Sequence, residues 1–431
     1  MIGGMATTET VRNWSGNYTF RAAEVHRPET VEQVQEVVAA ARGGAAGRVR
    51  ALGTRHCFQD IADTTGGLVS LERLHPEIAL DEAARTVTVS GGTRYGTLAE
   101  HLHARGWALH NLASLPHISV AGAVATATHG SGDASANLAT AVVGLELVGA
   151  DGELRTLTRA DADFPGAVVS LGALGVVVRL TLEVEPTYDV AQEVHTGLPW
   201  DAALANLDAV TSSADSVSLF TDWTGDAVQQ VWRKTRVRPG EPHVLRTELF
   251  GAAPSPVKLH PLPGIDPVNC TDQLGVPGPW HDRLPHFRLR YTPSNGDELQ
   301  SEYLVPREHA VGAIQALRGL SDRVAPLLQV SEIRTIGADD LWLSTAYGGP
   351  RIGLHFTWLP REAEVEALLP AVEEALAPFE ARPHWGKIFA DTGRDLARLY
   401  PRMDDFRALV ARSDPGGVFR GPFLERHVLL G

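Results

Sequence analysis

Pro186 closes a long strand pattern, Gly175 to Glu185, and the chain reads differently on its two sides. On the N-terminal side, strand and helix patterns alternate. Thr30 followed by Gln33 forms a capping box, and Val31, Val34, Val37, Val38 and Ala41 recur on one helical face, with Gly43 and Gly44 as the stop. Val49 to Leu52 reads as a short strand running into a tight glycine-bearing loop, Gly53 to Phe58. Thr86 to Ser90 alternates with period two, and Gly91-Gly92 turn it into a helix from about Tyr95 to Arg105. Gly144 to Gly149 and Glu153 to Thr158 flank Ala150-Asp151-Gly152, a hairpin turn. Beyond Pro186, residues 235 to 296 are dense in Pro, Gly and His and read as long surface loops. Strand patterns return at Glu298 to Leu304, Val330 to Thr335 and Gly353 to Trp358, with helical stretches at Arg307 to Ala325 and Arg361 to Ala377. That alternation predicts a sheet with helices on one face. A length of 431 residues accommodates two such units, and 44% hydrophobic against 21% charged residues lets each bury a core.

Charge narrows the partners. A formal net charge of -14 argues against nucleic acid or an anionic membrane surface, so any anionic ligand must be held locally by backbone amides and a few placed cations. Two cysteines, Cys57 and Cys270, make no disulfide framework and fit a reducing cytoplasm. Met1 to Thr10 lacks the basic start and apolar core of a signal peptide, and Met5 offers an alternative start. The longest apolar runs, such as Val176 to Leu182, are strand-sized and broken by Arg179, so no membrane span is expected.

Several motifs fail on inspection. Gly91 and Gly96 have the outer spacing of a phosphate loop, but Thr97-Leu98 replaces the Lys-Ser/Thr pair. Gly130-Ser131-Gly132-Asp133-Ala134-Ser135 imitates a dinucleotide fingerprint without its last glycine or a following helix. There is no HExxH and no CxxC, and His101 and His103 fall on the outer side of a helix, so no metal site is expected. The G-x-S-x-G elbow of serine hydrolases is absent.

Two segments stand out. Arg50 to Phe58 is a strand followed by a loop of small residues able to turn several N–H groups toward one point. Ala113 to Gly132 is rich in small residues that let backbone approach a flat ligand, with Ser114, Ser119, Thr126 and His129 as polar groups. At this order and separation the two resemble the FAD-binding domain of the vanillyl-alcohol-oxidase superfamily. Within it the chain resembles the alditol oxidases over almost its full length. The matching stretches include Asn13-Trp14-Ser15-Gly16-Asn17, Val217 to Trp223, Val268 to Thr271, Gly275 to His281, Leu299 to Tyr303, and Arg382-Pro383-His384-Trp385-Gly386-Lys387.

The resemblance implies an α+β two-domain flavoprotein. Residues 1–186 would form an FAD-binding domain of two small α/β subdomains. Residues 187–380 would form a substrate-binding cap with an antiparallel sheet flanked by helices, and 381–431 would return to the FAD domain. It implies FAD attached covalently through an imidazole nitrogen of His56. The cofactor contacts expected with it are Gly53, Thr54, Arg55, Cys57, Ser114, Ser119, Val120, Gly122, Thr126, His129, Gly130 and Val176. One departure stands beside the histidine. The family often has Ser-Gly there, whereas this chain has Thr54-Arg55, and arginine lacks glycine's freedom at positive φ.

The same resemblance places a substrate pocket over the flavin. Glu332 and Arg334 alternate with Ile333 and so point to one side, as do His355 and Thr357 around Phe356. Arg334, Lys387, His355 and Glu332 are the expected catalytic groups: two cations to ease loss of the hydroxyl proton, and His355 as a base. Ser114, Gln300, Glu332 and Thr357 are expected to hold neighbouring hydroxyls, since each OH both donates and accepts. The implied reaction takes a terminal primary hydroxyl of an alditol to the aldose, with dioxygen giving hydrogen peroxide and Ala113 controlling oxygen access. An aldonolactone oxidase or dehydrogenase is the alternative, with the Trp280-His281 loop and the His355 to Thr357 strand favouring alditols. A flavin-carrying relay protein with no substrate of its own fits the polar set less well. A cytoplasmic monomer acting on a small polyol is expected.

Overall fold

A computed structural model describes residues 6–43, 47–238, 241–291, 298–390 and 395–429; Met5 and Gly44 lie outside them. Among the described residues, the chain up to Pro186 builds a four-stranded and a five-stranded sheet, besides a short pairing of Trp107–Ala108 with Glu185–Pro186. In the first, Glu24–His26 and Val49–Leu52 both run parallel to Gly67–Ser70, and helix Val31–Gly43 covers them with Val34, Val37 and Val38 packed on Val49 and Val69. Thr30 Oγ1 accepts from the Gln33 amide at 3.3 Å, while the Gln33 side chain reaches one residue further back to the Glu29 amide. The second sheet is antiparallel, in the order Ile78–Asp81, Thr86–Ser90, Val176–Glu183, Val142–Val148, Leu154–Thr158. Helix Tyr95–His103 packs Leu98, Ala99 and Leu102 onto its Val87 and Val89. The expected Asp151-Gly152 hairpin is present, with Gly152 at φ 85°.

The cap is a nine-stranded antiparallel sheet among the described residues. Its main order is Ala253–Pro254, Asp189–Pro199, Ala227–Val237, Ser216–Thr221, Leu328–Ile336, Arg351–Trp358, Leu299–Pro306, Arg382–Pro383. Three long strands, Asp189–Pro199, Ser216–Thr221 and Ala227–Val237, were not expected as strands. Ser216–Thr221 is buried on both faces, and Ala227–Val237 carries Gln230, Trp232 and Lys234 inward, so polar and apolar residues do not alternate in the usual sense. The helix expected over Arg307 to Ala325 is broken: Ala310–Arg318 ends at Gly319, and a short turn of helix, Ser321–Val324, follows. Between Val237 and Leu299 the described chain is mainly loop, with the two-residue strands Ala253–Pro254 and Gly278–Pro279 closing one edge of the sheet.

The cap sheet has two unlike faces. Leu219, Ile333, Leu354 and Phe356 join Ile314, Leu317, Val365 and Leu369 of helices Ala310–Arg318 and Glu362–Leu376 in one apolar layer. The residues between them, Gln300, Glu302, Glu332, Arg334, His355 and Thr357, face the N-terminal domain. The chain after Arg382–Pro383 returns there, with Phe406, Leu409 and Phe423 in the same cluster as Leu98.

Two consequences are measurable. Phe356 is fully enclosed and stacks on Trp358 at 4.9 Å, so Phe356→Ala is expected to destabilise the protein by about 3–5 kcal/mol. An unchanged unfolding midpoint would place the cap's stability elsewhere. Burial also pushes His110 and His286 down to about 4 from an ordinary 6.5. Between those values the unfolded chain takes up protons that the folded chain refuses, so stability falls as pH drops from 6.5 toward 4. Each ring accounts for roughly 3 kcal/mol across that window. A thermal midpoint equal at pH 7 and pH 4.5 would contradict this.

Candidate active site

The two domains enclose a cleft of about 440 Å³, bounded by the Gly53–Phe58 loop, the Ala113–His129 segment and the polar face of the cap sheet. The His56 loop is held from both ends of the chain. Asn13 Nδ2 donates to the Cys57 carbonyl and Asn17 Nδ2 to that of Phe58, both at 3.0 Å, and the Trp14 amide donates to the Arg55 carbonyl at 2.8 Å. From the other side, the Phe58 amide donates to the Gly386 carbonyl at 2.9 Å. Arg55 adopts φ 65°, so the position where glycine was expected does use the left-handed conformation, with arginine bearing the strain. Thr54 Oγ1 accepts from the Ser119 amide at 3.1 Å and lies 3.0 Å from His56 Nδ1. Trp14 stacks on the His56 ring at 5.3 Å. Burial, then the charges of His117, Lys387 and Arg94, push His56 down to about 4, leaving a neutral ring at pH 7. Cys57 is pushed up to about 11 by burial and stays a protonated thiol beside Gly386.

These residues fit a flavin dinucleotide. A Cβ on Gly53 or Gly122 would stand 2.9 or 2.8 Å from Ser119 Oγ, so backbone lines the cleft where a side chain is barred. Ser119 Oγ is buried with no hydrogen-bond partner among the described residues. Gly53, Thr54, Arg55, His56, Cys57, Ser114, Ser119, Gly122, Thr126 and His129 all line the cleft. Val120, Gly130 and Val176 do not. Val120 and Val176 are turned into the apolar clusters, and Val177 and Gly175 line the cleft in place of Val176. Trp280 is enclosed beside Tyr188, and His281 stacks on His103, so that loop also stands outside the cleft lining.

Gln300, Glu332, Arg334, His355 and Thr357 of the cap sheet line the cleft, together with Lys387 and, from the facing domain, Ser114. Their pairing is the surprise. Arg334 Nη2 binds Glu302 Oε1 at 2.6 Å, its Nε lies 3.7 Å from Glu332 Oε2, and Nη1 lies 3.4 Å from Ser114 Oγ. Lys387 Nζ donates to Gln300 Oε1, which also lies 3.2 Å from His355 Nε2, while Gln300 Nε2 donates to Glu298 at 2.6 Å. His355 Nδ1 is left buried without a hydrogen-bond partner among the described residues. Glu332 and Glu302 stay ionised: burial opposes this as the largest single effect, but Arg334 together with His286 and His129 respectively outweighs it. Glu302 and His286 were not expected as site residues. Glu302 shares the inward period of Gln300, which is the signal that identifies it; His286 lies in a loop without periodicity. His129, Glu302 and His384 bring three ligand-type atoms within 4.8 Å of one another, with the Glu302 charge already taken by Arg334.

Residues 22–158 match the family described as FAD binding domain, and residues 295–427 that described as D-arabinono-1,4-lactone oxidase. The chain is 49% identical to an alditol oxidase of Streptomyces sp. (strain IKD472 / FERM P-14339), over 96% of this chain and 98% of that protein. It is 31% identical to an L-gulono-1,4-lactone dehydrogenase of Mycobacterium tuberculosis, with the same two coverages. Among solved structures, cholesterol oxidase from B. sterolicum shares the fold, with a TM-score of 0.80 at 15% identity over 98% of this chain and 97% of that one. The backbone-lined cleft, the inward cap face and these likenesses agree: the chain is an FAD-dependent oxidoreductase and belongs to the alditol oxidase family of the vanillyl-alcohol-oxidase flavoproteins.

Proposed function

We propose that the chain oxidises the terminal primary hydroxyl of alditols of the xylitol, sorbitol and glycerol class to the aldose. The observation that carries this reading is the buried Nδ1 of His355, which has no hydrogen-bond partner among the described residues and lies beside the cations Arg334 and Lys387. FAD, which we propose is anchored covalently on His56, would supply hydride-accepting chemistry with reoxidation by dioxygen to hydrogen peroxide.

The chain's own residues prepare the hydroxyl. Arg334 and Lys387 stabilise negative charge growing on its oxygen, in a site where low dielectric strengthens their effect. Burial, then Lys387, pushes His355 down to about 3, so the ring enters as a free base. So weak a base takes the proton only because the flanking cations make the hydroxyl far more acidic than in a free alcohol. Glu302 holds the Arg334 guanidinium in place, and Ser114, Gln300, Glu332 and Thr357 receive the remaining hydroxyls. The likeness of residues 295–427 to D-arabinono-1,4-lactone oxidase favours a second reading, oxidation of a sugar lactone in the same cleft.

A peroxide assay with xylitol, sorbitol, glycerol and a gulono- or galactonolactone separates the two. Peroxide is expected from the polyols; dye reduction by lactone alone would overturn the alditol reading. In His56→Ala, acid precipitation is expected to leave yellow flavin in the supernatant, while the parent protein carries its flavin down. Flavin released from the parent would refute the covalent bond and leave the pocket reading intact. Lys387→Met is expected to lower kcat/KM by about 10²–10³-fold, the scale of losing one charge-stabilising donor. Burial lowers the pKa of Lys387, so kcat/KM of the parent should fall on the alkaline side earlier than an ordinary lysine would dictate. That limb should be missing from Lys387→Met, and its persistence would assign it to another group.

A further inference from the structure

Behind Glu332 stands a chain of groups that the reaction above does not use. Glu332 Oε1 lies 2.8 Å from His286 Nε2, and His286 Nδ1 lies 3.0 Å from Lys234 Nζ. Lys234, fully buried, also donates to the Leu284 carbonyl. The protons along this line are dictated from its ends. An ionised carboxylate only accepts, so Nε2 must carry the hydrogen and donate to Glu332. A neutral ring then has a bare Nδ1, and Lys234 must donate to it. Burial, followed by the Lys234 charge, keeps the ring neutral.

Packing fixes the ring as well. Trp232 and Phe220 meet His286 edge-on at 5.3 and 5.5 Å, so it cannot turn away from Glu332 without displacing them. The other charged or titratable groups nearby are Arg334 on the strand of Glu332, His355 on the next strand, and Cys270 close to Lys234. Neither contact of the Lys234 ammonium is an acid: one is a carbonyl, the other an imidazole. A lysine buried this deeply is costly unless its contacts require it.

We propose that His286 and Lys234 are positioning residues that set Glu332 for the substrate's hydroxyls. His286 saturates Oε1 as an Nε2–H donor, Lys234 fixes that tautomer, and Oε2 remains to accept a hydroxyl. The assignment rests on reading Glu332 as a polyol-binding carboxylate. It extends the substrate site through the cap sheet to a strand, Ala227–Val237, whose Lys234 lies outside the cleft lining.

The holoenzyme tests it through His286→Gln, Lys234→Met and the double variant His286→Leu with Lys234→Met, which removes the buried charge together with its acceptor. The double variant is expected to keep its flavin content, raise KM for the alditol about tenfold or more, as loss of a hydrogen bond to a charged group does, and leave kcat within a few-fold. His286→Gln should recover most of the loss, because its amide nitrogen donates to Glu332 while its oxygen accepts from Lys234. Independently of turnover, ¹⁵N imidazole spectra of the parent should contain a neutral Nε2–H signal that disappears in His286→Gln and becomes a tautomer mixture in Lys234→Met. A folded double variant with the parent's KM overturns the proposal, as does an imidazolium or Nδ1–H signal for His286. Should the parent turn over no alditol, the polyol reading fails, and the tautomer spectra alone decide the His286–Lys234 assignment.

Discussion

The architecture turns on one enclosed guanidinium. Arg334 sits on strand Leu328–Ile336, pairs with Glu302 two strands away, and reaches Ser114 of the flavin domain. Removing one partner from such a buried pair leaves an uncompensated charge and costs about 3–5 kcal/mol, whereas the intact pair contributes little net stability. The pairing is therefore better understood as a specification than as a source of stability. It sets which cap strands are adjacent, which face looks inward, and where the flavin domain meets the cap. The interface between the domains and the polar wall of the cleft are made by the same residues.

Around that centre the sheet divides its work by parity. Odd positions such as Ile333 and even ones such as Leu354 and Phe356 carry hydrocarbon to the helices, and their neighbours carry charge to the cleft. A register slip of one residue would exchange the two faces, burying Arg334 among leucines, so the apolar layer under the helices also holds the chemistry in register.

That parity made part of the site legible in the sequence. Spacing put Glu332 and Arg334 on one side of their strand and His355 and Thr357 on one side of theirs, the family resemblance assigned both pairs to a pocket, and the cleft lining contains all four. The His56 loop and the Ala113 to Gly132 segment were recognisable together rather than singly. Other features were hidden for physical reasons. Strands buried on both faces lose the alternation that announces a strand, so Asp189–Pro199 and its neighbours passed unseen. Glu302 was visible as a motif residue, but its pairing with Arg334 is a contact between distant strands. His286 reaches the site from a loop, where side-chain direction follows no period. Val176 and Val177 differ by a half-step in a strand, and only the sheet's packing decides which faces the cleft.

The clasp on the His56 loop bears on how the protein comes into being. Its N-terminal contacts, from Asn13 and Asn17, are available early in synthesis, but Gly386, whose carbonyl takes the Phe58 amide, is made late. Arg50, at the root of the same loop, likewise hydrogen-bonds the carbonyl of Phe419. Contacts of such sequence separation form slowly, after the loop-closure entropy of the intervening chain has been overcome. The cradle is thus completed only once the chain has been made through Gly386 and Phe419, and a chain truncated before Gly386 carries His56 in a loop closed on one side.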